Sequence, residues 1–170
     1  MNYIEQYGND ILNSSNMNLS KNFMQHGTTS VYTHSLDVCK MSLKIATKLN
    51  IKVDYKSLVR GSLLHDYFLY DWHIKDKSHR LHGFRHARFA YLNAIKEYEL
   101  NKIEKNMILS HMFPLNLRIP RYKESIILCI ADKICAFKET SFILLYKFKY
   151  IFKQIFYNAC FLFLYLIYYK

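Results

Sequence analysis

An all-helical fold is what this sequence predicts, and three observations predict it. Glycine and proline are scarce, at four and two in 170 residues. Apolar residues recur at intervals of three and four, the helical period, and do not alternate as in a half-buried strand. No repeat or long linker breaks the pattern. A chain of this length buries about 70% of its unfolded surface in a single core, which predicts one main body. We divide it into 1–29, a helix and polar loop; 30–140, the helical body; and 141–170, a hydrophobic aromatic tail.

The first helix is expected near Tyr3–Leu12, and the polar stretch NSSNMNLSKN that follows reads as a loop. The cluster Thr28, Thr29, Ser30 offers hydroxyls to cap a helix running to about Leu49, and Asp54 can cap another running to about Tyr70. Their short connector, Asn50 to Val53, makes the two antiparallel neighbours. At roughly 1.5 Å per residue, His34 and His65 stand about 22 and 17 Å from that connector, within about one turn of each other.

Asp71 to Phe84, DWHIKDKSHRLHGF, is polar, aromatic and rich in histidine, and is expected to be a loop that lines a site. Helices follow at about Arg85–Leu100 and Lys102–Met112, the second capped by Asn101. A turn-rich connection, FPLNLRIPRY, leads to a helix over about Tyr122–Thr140 that carries Asp132. The tail, Phe142 to Lys170, forms an additional hydrophobic C-terminal helix with Lys147, Lys149 and Lys153 in its first half. Its longest uncharged stretch, Gln154 to Tyr169, is shorter than the roughly 20 residues of a spanning helix. We expect it to pack on the bundle or on a homodimer partner. Contact with a membrane surface and true spanning are the alternatives, the latter opposed by lysines that each cost on the order of 3 kcal/mol at the bilayer centre.

The formal charge is +11, from 24 basic and 13 acidic side chains, which favours anionic partners. An AT-rich coding bias produces the same excess of Lys, Asn, Ile and Tyr, so charge is a weak argument. Cys39, Cys129, Cys135 and Cys160 lie in apolar helical surroundings and read as reduced thiols, not as a disulfide framework. MNYIEQYGNDILNSSN has no basic segment followed by an apolar one, so no secretory signal is expected. A cytoplasmic location is expected, with peripheral membrane attachment through the tail as the alternative.

The chemistry concentrates on His65-Asp66, set in the apolar run GSLLHDYFLY. Burying an imidazole beside a carboxylate is costly unless something compensates, and a divalent cation compensates both at once. Nitrogen and carboxylate ligands without thiolate suit catalytic Fe, Mn, Zn, Co or Ni. Neighbouring helical positions point about 100° apart, so Asp66 can bridge to a second ion. His34 and Asp132 would complete the first ion and His86 and His111 would serve the second. Singly, each of these residues is more often an ordinary core or surface residue. Jointly, around the doublet, they point to a metal site of one or two ions.

In this order and spacing, His34, His65-Asp66 and Asp132 resemble the HD-domain metal-dependent phosphohydrolases over about Ser30 to Thr140. His86 in HGFRHARFA and His111 in ILSHMFPL resemble the two extra histidines of the dinuclear branch. The context HDYFLYDWHIKDKSHRLHGF is similar to a Firmicutes group of HD hydrolases, which brings no substrate with it. The resemblance implies an HD-like helical bundle that hydrolyses a phosphate ester or anhydride of a nucleotide-like small molecule. Compact diadenosine tetraphosphate hydrolases favour a dinucleoside polyphosphate among substrates, with a nucleoside monophosphate or cyclic nucleotide open. Arg80, Arg85, Arg88 and Lys133 are the candidate phosphate-binding cations. Many dinuclear members read HDxxK, whereas Leu69 stands at the lysine position here, so that lysine's role does not carry over. Asp71 is a candidate to orient a water or protonate the leaving group, and equally a loop residue. His82 competes with His86, which we prefer because ARFA follows it. Two other readings stay beside this one: a metal-holding, ligand-sensing module without turnover, and a basic helical nucleic-acid-binding protein. The second is disfavoured because the cations form no compact stripe interleaved with aromatics.

Overall fold

Asn2 opens α1 (Tyr3–Leu12) by accepting a hydrogen bond from the Glu5 backbone N–H. The computed structural model describes residues 2–77 and 80–168, with side chains except at 142, 143, 147, 152 and 155–168. The stretch expected to be a loop instead forms α2 (Ser15–Leu19) and a 3₁₀ turn, Ser20–Asn22. Ser14 supplies its cap and Met17 buries itself completely, which gives a polar segment the anchor that its composition hides. A short antiparallel hairpin, β1 (Met24–His26) and β2 (Thr29–Ser30), leads into α3 (Val31–Lys48), capped by Ser30.

Helix α4 (Tyr55–Leu64) starts at the expected Asp54 cap and is the centre of the bundle, with Ser57, Leu58, Val59, Gly61, Ser62, Leu63 and Leu64 all buried. It lies antiparallel against α3, where Ser62 meets Ser42 and the Cys39 thiol meets the Val59 carbonyl. Two glycines allow the other helices to close on it. A Cβ on Gly8 would stand 2.6 Å from Leu63 Cδ1, and one on Gly61 would stand 2.6 Å from Met107 Sδ.

The helix expected to run to Tyr70 ends six residues early, at Leu64. Beyond it the Asn93 side chain donates to the carbonyls of Tyr67 and Phe68, satisfying outside a helix the backbone groups that helix bonds would otherwise take. Leu69 then turns the chain with φ of 58°. The doublet therefore sits at a helix end, free of the helical repeat after it.

Helix α5 spans His82–Glu97, three residues earlier at each end than expected. Helix α6 (Lys102–Ser110) has the full capping box of Asn101 and Glu104 and stops two residues short of the expected Met112. The helix expected at Tyr122–Thr140 and the C-terminal hydrophobic helix are one element, α7 (Lys123–Tyr168). Its first half packs on the bundle through Ile127, Leu128, Ala131 and Cys135. From Leu144 to Ile151 the described apolar side chains are exposed. Cys160 and the uncharged stretch after Gln154 lie outside the described side chains. Among the described residues no helix is long and apolar enough to cross a membrane.

Candidate metal centre

Four imidazoles converge on one carboxylate at the end of α4. His34 comes from α3, His65-Asp66 from the end of α4, His86 from α5, His111 from the end of α6 and Asp132 from α7. All six residues are buried. Asp66 Oδ2 lies 3.7 Å from His34 Nε2 and 3.4 Å from His65 Nε2, while Oδ1 lies 3.3 Å from His86 Nε2 and 3.4 Å from His111 Nε2. Asp132 Oδ1 joins the first side, 3.1 Å from His34 Nε2 and 3.7 Å from His65 Nε2. One carboxylate thus faces two separate groups, His34 with His65 and His86 with His111.

The outward side of each ring decides what the inward side can do. Nδ1–H donates to the Ser62 carbonyl from His65 at 2.7 Å, to the His82 carbonyl from His86 at 3.0 Å, and to the Ile108 carbonyl from His111 at 2.8 Å. His34 Nδ1–H donates to the Glu139 carboxylate at 3.0 Å. In the neutral form each ring held this way would direct an Nε2 lone pair inward, whereas in the metal-free protein His34 Nε2–H donates to Asp132 Oδ1 at 3.1 Å. Such an outward carbonyl or carboxylate partner is what fixes ring orientation and tautomer in a metal-ligating histidine.

Lone pairs gathered in this way repel unless a cation lies among them. His86 Nε2 and His111 Nε2 are only 2.8 Å apart. His65 Nε2 and Asp66 Oδ1 are buried with no hydrogen-bond partner among the described residues. Protons serve in the metal-free protein. Burial pulls His34 down, but its hydrogen bonds to Asp132 and Glu139 outweigh that and raise it to about 10. For His86 burial also opposes and the Asp66 carboxylate prevails, so its pKa is raised; for His111 burial wins and its pKa is lowered. Burial likewise opposes ionisation of Asp66 and Asp132, yet the surrounding imidazoles hold both carboxyls below the usual range. A donor set of imidazole nitrogen and carboxylate oxygen, with His65 Nε2 and Asp66 Oδ1 unpartnered among the described residues, fits one or two divalent transition-metal ions.

A cavity of about 610 Å³ opens on this cluster. Trp72, Met112, Pro114, Leu115 and Ala136 give it an apolar wall, and Lys133 is the only lysine or arginine among the described residues that line it. Lys133 Nζ is tied to the carbonyls of His111 and Cys129, each at 3.3 Å. The arginines lie elsewhere. Arg85 and Arg88 line a separate cleft with Phe84 and Arg118, and Arg80 lines an outer cleft beside Trp72. Asp71 is not among the residues lining the cavity, and its carboxylate accepts from the backbone N–H of His73 at 2.9 Å. His82 lines the cavity but stacks on His86 at 4.6 Å and meets the Tyr70 hydroxyl at 2.9 Å, so His86 is the histidine that reaches Asp66.

Two contributors carry no signal in the sequence. Gln25, from β1, donates from Nε2 to Asp66 Oδ2 at 2.6 Å. Glu139, on α7, holds His34 from outside. Each is a common polar residue whose reach depends on where its element lands.

Residues 31–136 match the family described as HD domain. No curated protein and no solved structure matches the chain.

Proposed function

This chain belongs to the HD-domain superfamily of metal-dependent phosphohydrolases, and on that premise we propose that it hydrolyses a phosphate ester or anhydride of a nucleotide-like small molecule. The observation that carries the proposal is Asp66, whose two oxygens face two separate pairs of inward-directed imidazoles. His34, His65, Asp66 and Asp132 would hold one ion, and Asp66, His86 and His111 a second. Divalent ions of the Mn, Fe, Co, Ni or Zn type supply Lewis-acid charge for phosphoryl oxygens and lower the pKa of water.

The chain's own residues supply the rest. Outward hydrogen bonds keep the four rings aimed before substrate arrives, so little reorganisation is needed at reaction. Lys133 offers a cation at the cavity wall for a phosphoryl oxygen. The apolar wall seats the organic part and keeps bulk water from it. In the overall step a water oxygen bonds to phosphorus, the ester or anhydride P–O bond breaks, and the leaving oxygen ends with a proton. With one lysine and no arginine among the described residues of the cavity wall, a substrate bearing a single phosphoryl group fits better than the dinucleoside polyphosphate favoured from the resemblance.

The test is phosphate release from monoesters, diesters and polyphosphates, with each of Mn, Fe, Co, Ni and Zn. Metal-dependent turnover that disappears in Asp66→Ala supports the proposal. Metal-dependent ligand binding without turnover across the panel would make the protein a sensing module instead. Residual activity equal in wild type and Asp66→Ala would remove the cluster from the chemistry altogether.

A further inference from the structure

The hairpin of β1 and β2 precedes the segment that matches the family, yet it places a side chain inside the site. Gln25 is 6% exposed and lines the cavity beside Asp66. Its Nε2 is 2.6 Å from Asp66 Oδ2, the oxygen on the His34 and His65 side. That contact fixes which way the amide points, because the reverse orientation would press two oxygens together at the same distance. The carbonyl oxygen, Oε1, is therefore the end turned away from Asp66, and it is buried with no hydrogen-bond partner among the described residues.

An acceptor without a donor is costly to keep buried, and here it stands beside the one carboxylate that both groups of imidazoles share. A ligand that brings a proton donor to this spot would satisfy it. Taking the phosphohydrolase reading as the premise, we infer that Gln25 is a positioning residue for hydrolysis. Its Nε2–H holds the Asp66 carboxylate in the orientation that faces both groups of imidazoles. Its Oε1 accepts a hydrogen bond from the attacking water and turns the water's free lone pair toward phosphorus.

Gln25→Leu removes both functions while nearly keeping volume. With wild type active, kcat is expected to fall 10- to 100-fold with KM within about threefold, because orientation, not substrate affinity, is lost. Affinity for Co²⁺, measured by calorimetry, should fall at least tenfold, the scale of losing an outer partner of a metal ligand, and the visible absorption of the Co-loaded protein should shift. A melting curve checks the fold. If Gln25→Leu does not fold, Gln25→Asn, which withdraws the amide by one methylene, carries the same expectations. Unchanged kcat and Co²⁺ affinity overturn the inference, as does a loss confined to KM. Wild type inactive on every substrate overturns the phosphohydrolase reading instead, and Co²⁺ affinity and spectrum then decide whether Gln25 supports Asp66.

Discussion

Asp66→Asn keeps the shape of the side chain at the centre of the cluster and removes its charge. Among the described residues Asp66 is the one carboxylate within 3.7 Å of an Nε2 atom from each of the four imidazoles; an amide would leave one neutral oxygen in place of two charged ones, so the ligation of both ions would weaken together. Losing an outer partner costs 10–100-fold in metal affinity, so a direct and shared ligand sets a floor of about 100-fold per ion. At subsaturating metal the doubly loaded fraction falls by about 10⁴, which is roughly 5.4 kcal/mol at 1.36 kcal/mol per decade. We expect less than about 0.1 metal per chain after desalting, and a drop of at least 10³ in kcat/KM at micromolar metal. The metal-free fold should tolerate the change, because the imidazoles can shed protons once the carboxylate is gone. The assay pairs elemental analysis of desalted protein with phosphate release and a melting curve. Metal content near wild type, with activity within tenfold, would refute the reasoning.

Three further outcomes follow from the same structure. In metal-free protein the His34 pKa of about 10 lies above its unfolded 6.5, so its contribution to stability is full below about pH 6.5 and is lost as pH rises toward 10. Denaturant unfolding should show a decline no steeper than about 1.4 kcal/mol per pH unit, one proton's worth, and a flat response over that range would contradict it. Gly61→Ala should destabilise by about 1–3 kcal/mol, because the new methyl group meets Met107 at Sδ, Cε and Cβ; an unchanged denaturation midpoint would show that α6 yields freely. Burial pushes the Cys39 thiol up to about 12 and Cys135 up to about 11, and raises Cys129. In a Cys160→Ser variant, native Cys39 and Cys135 should therefore react with iodoacetamide at pH 8 at least about 100-fold more slowly than when unfolded, and equal rates would contradict the burial.

The cluster around Asp66 was legible in part because a His-Asp doublet and a further aspartate are rare in apolar helical runs. His65-Asp66 and Asp132 interrupt such runs, and antiparallel α3 and α4 bring His34 and His65 to ring centroids 5.4 Å apart, while His86 and His111 stood out only jointly with the doublet. The arginines illustrate a signal that helical spacing does carry. At about 100° per residue, Arg88 lies some 200° around α5 from His86, on the opposite face. Gln25 and Glu139 were not legible, since a hairpin and the unbroken course of α7 bring them in. The early end of α4 depends on Asn93, 27 residues beyond Asp66, whose side chain captures two carbonyls that local sequence would assign to a helix.

The most direct test of the two-ion account is anomalous diffraction from crystals of the protein loaded with Mn²⁺ or Zn²⁺. The account predicts two anomalous peaks that share Asp66, one among His34, His65 and Asp132 and the other between His86 and His111. A single fully occupied peak, or metal at other positions with neither side of Asp66 carrying a peak, would contradict it.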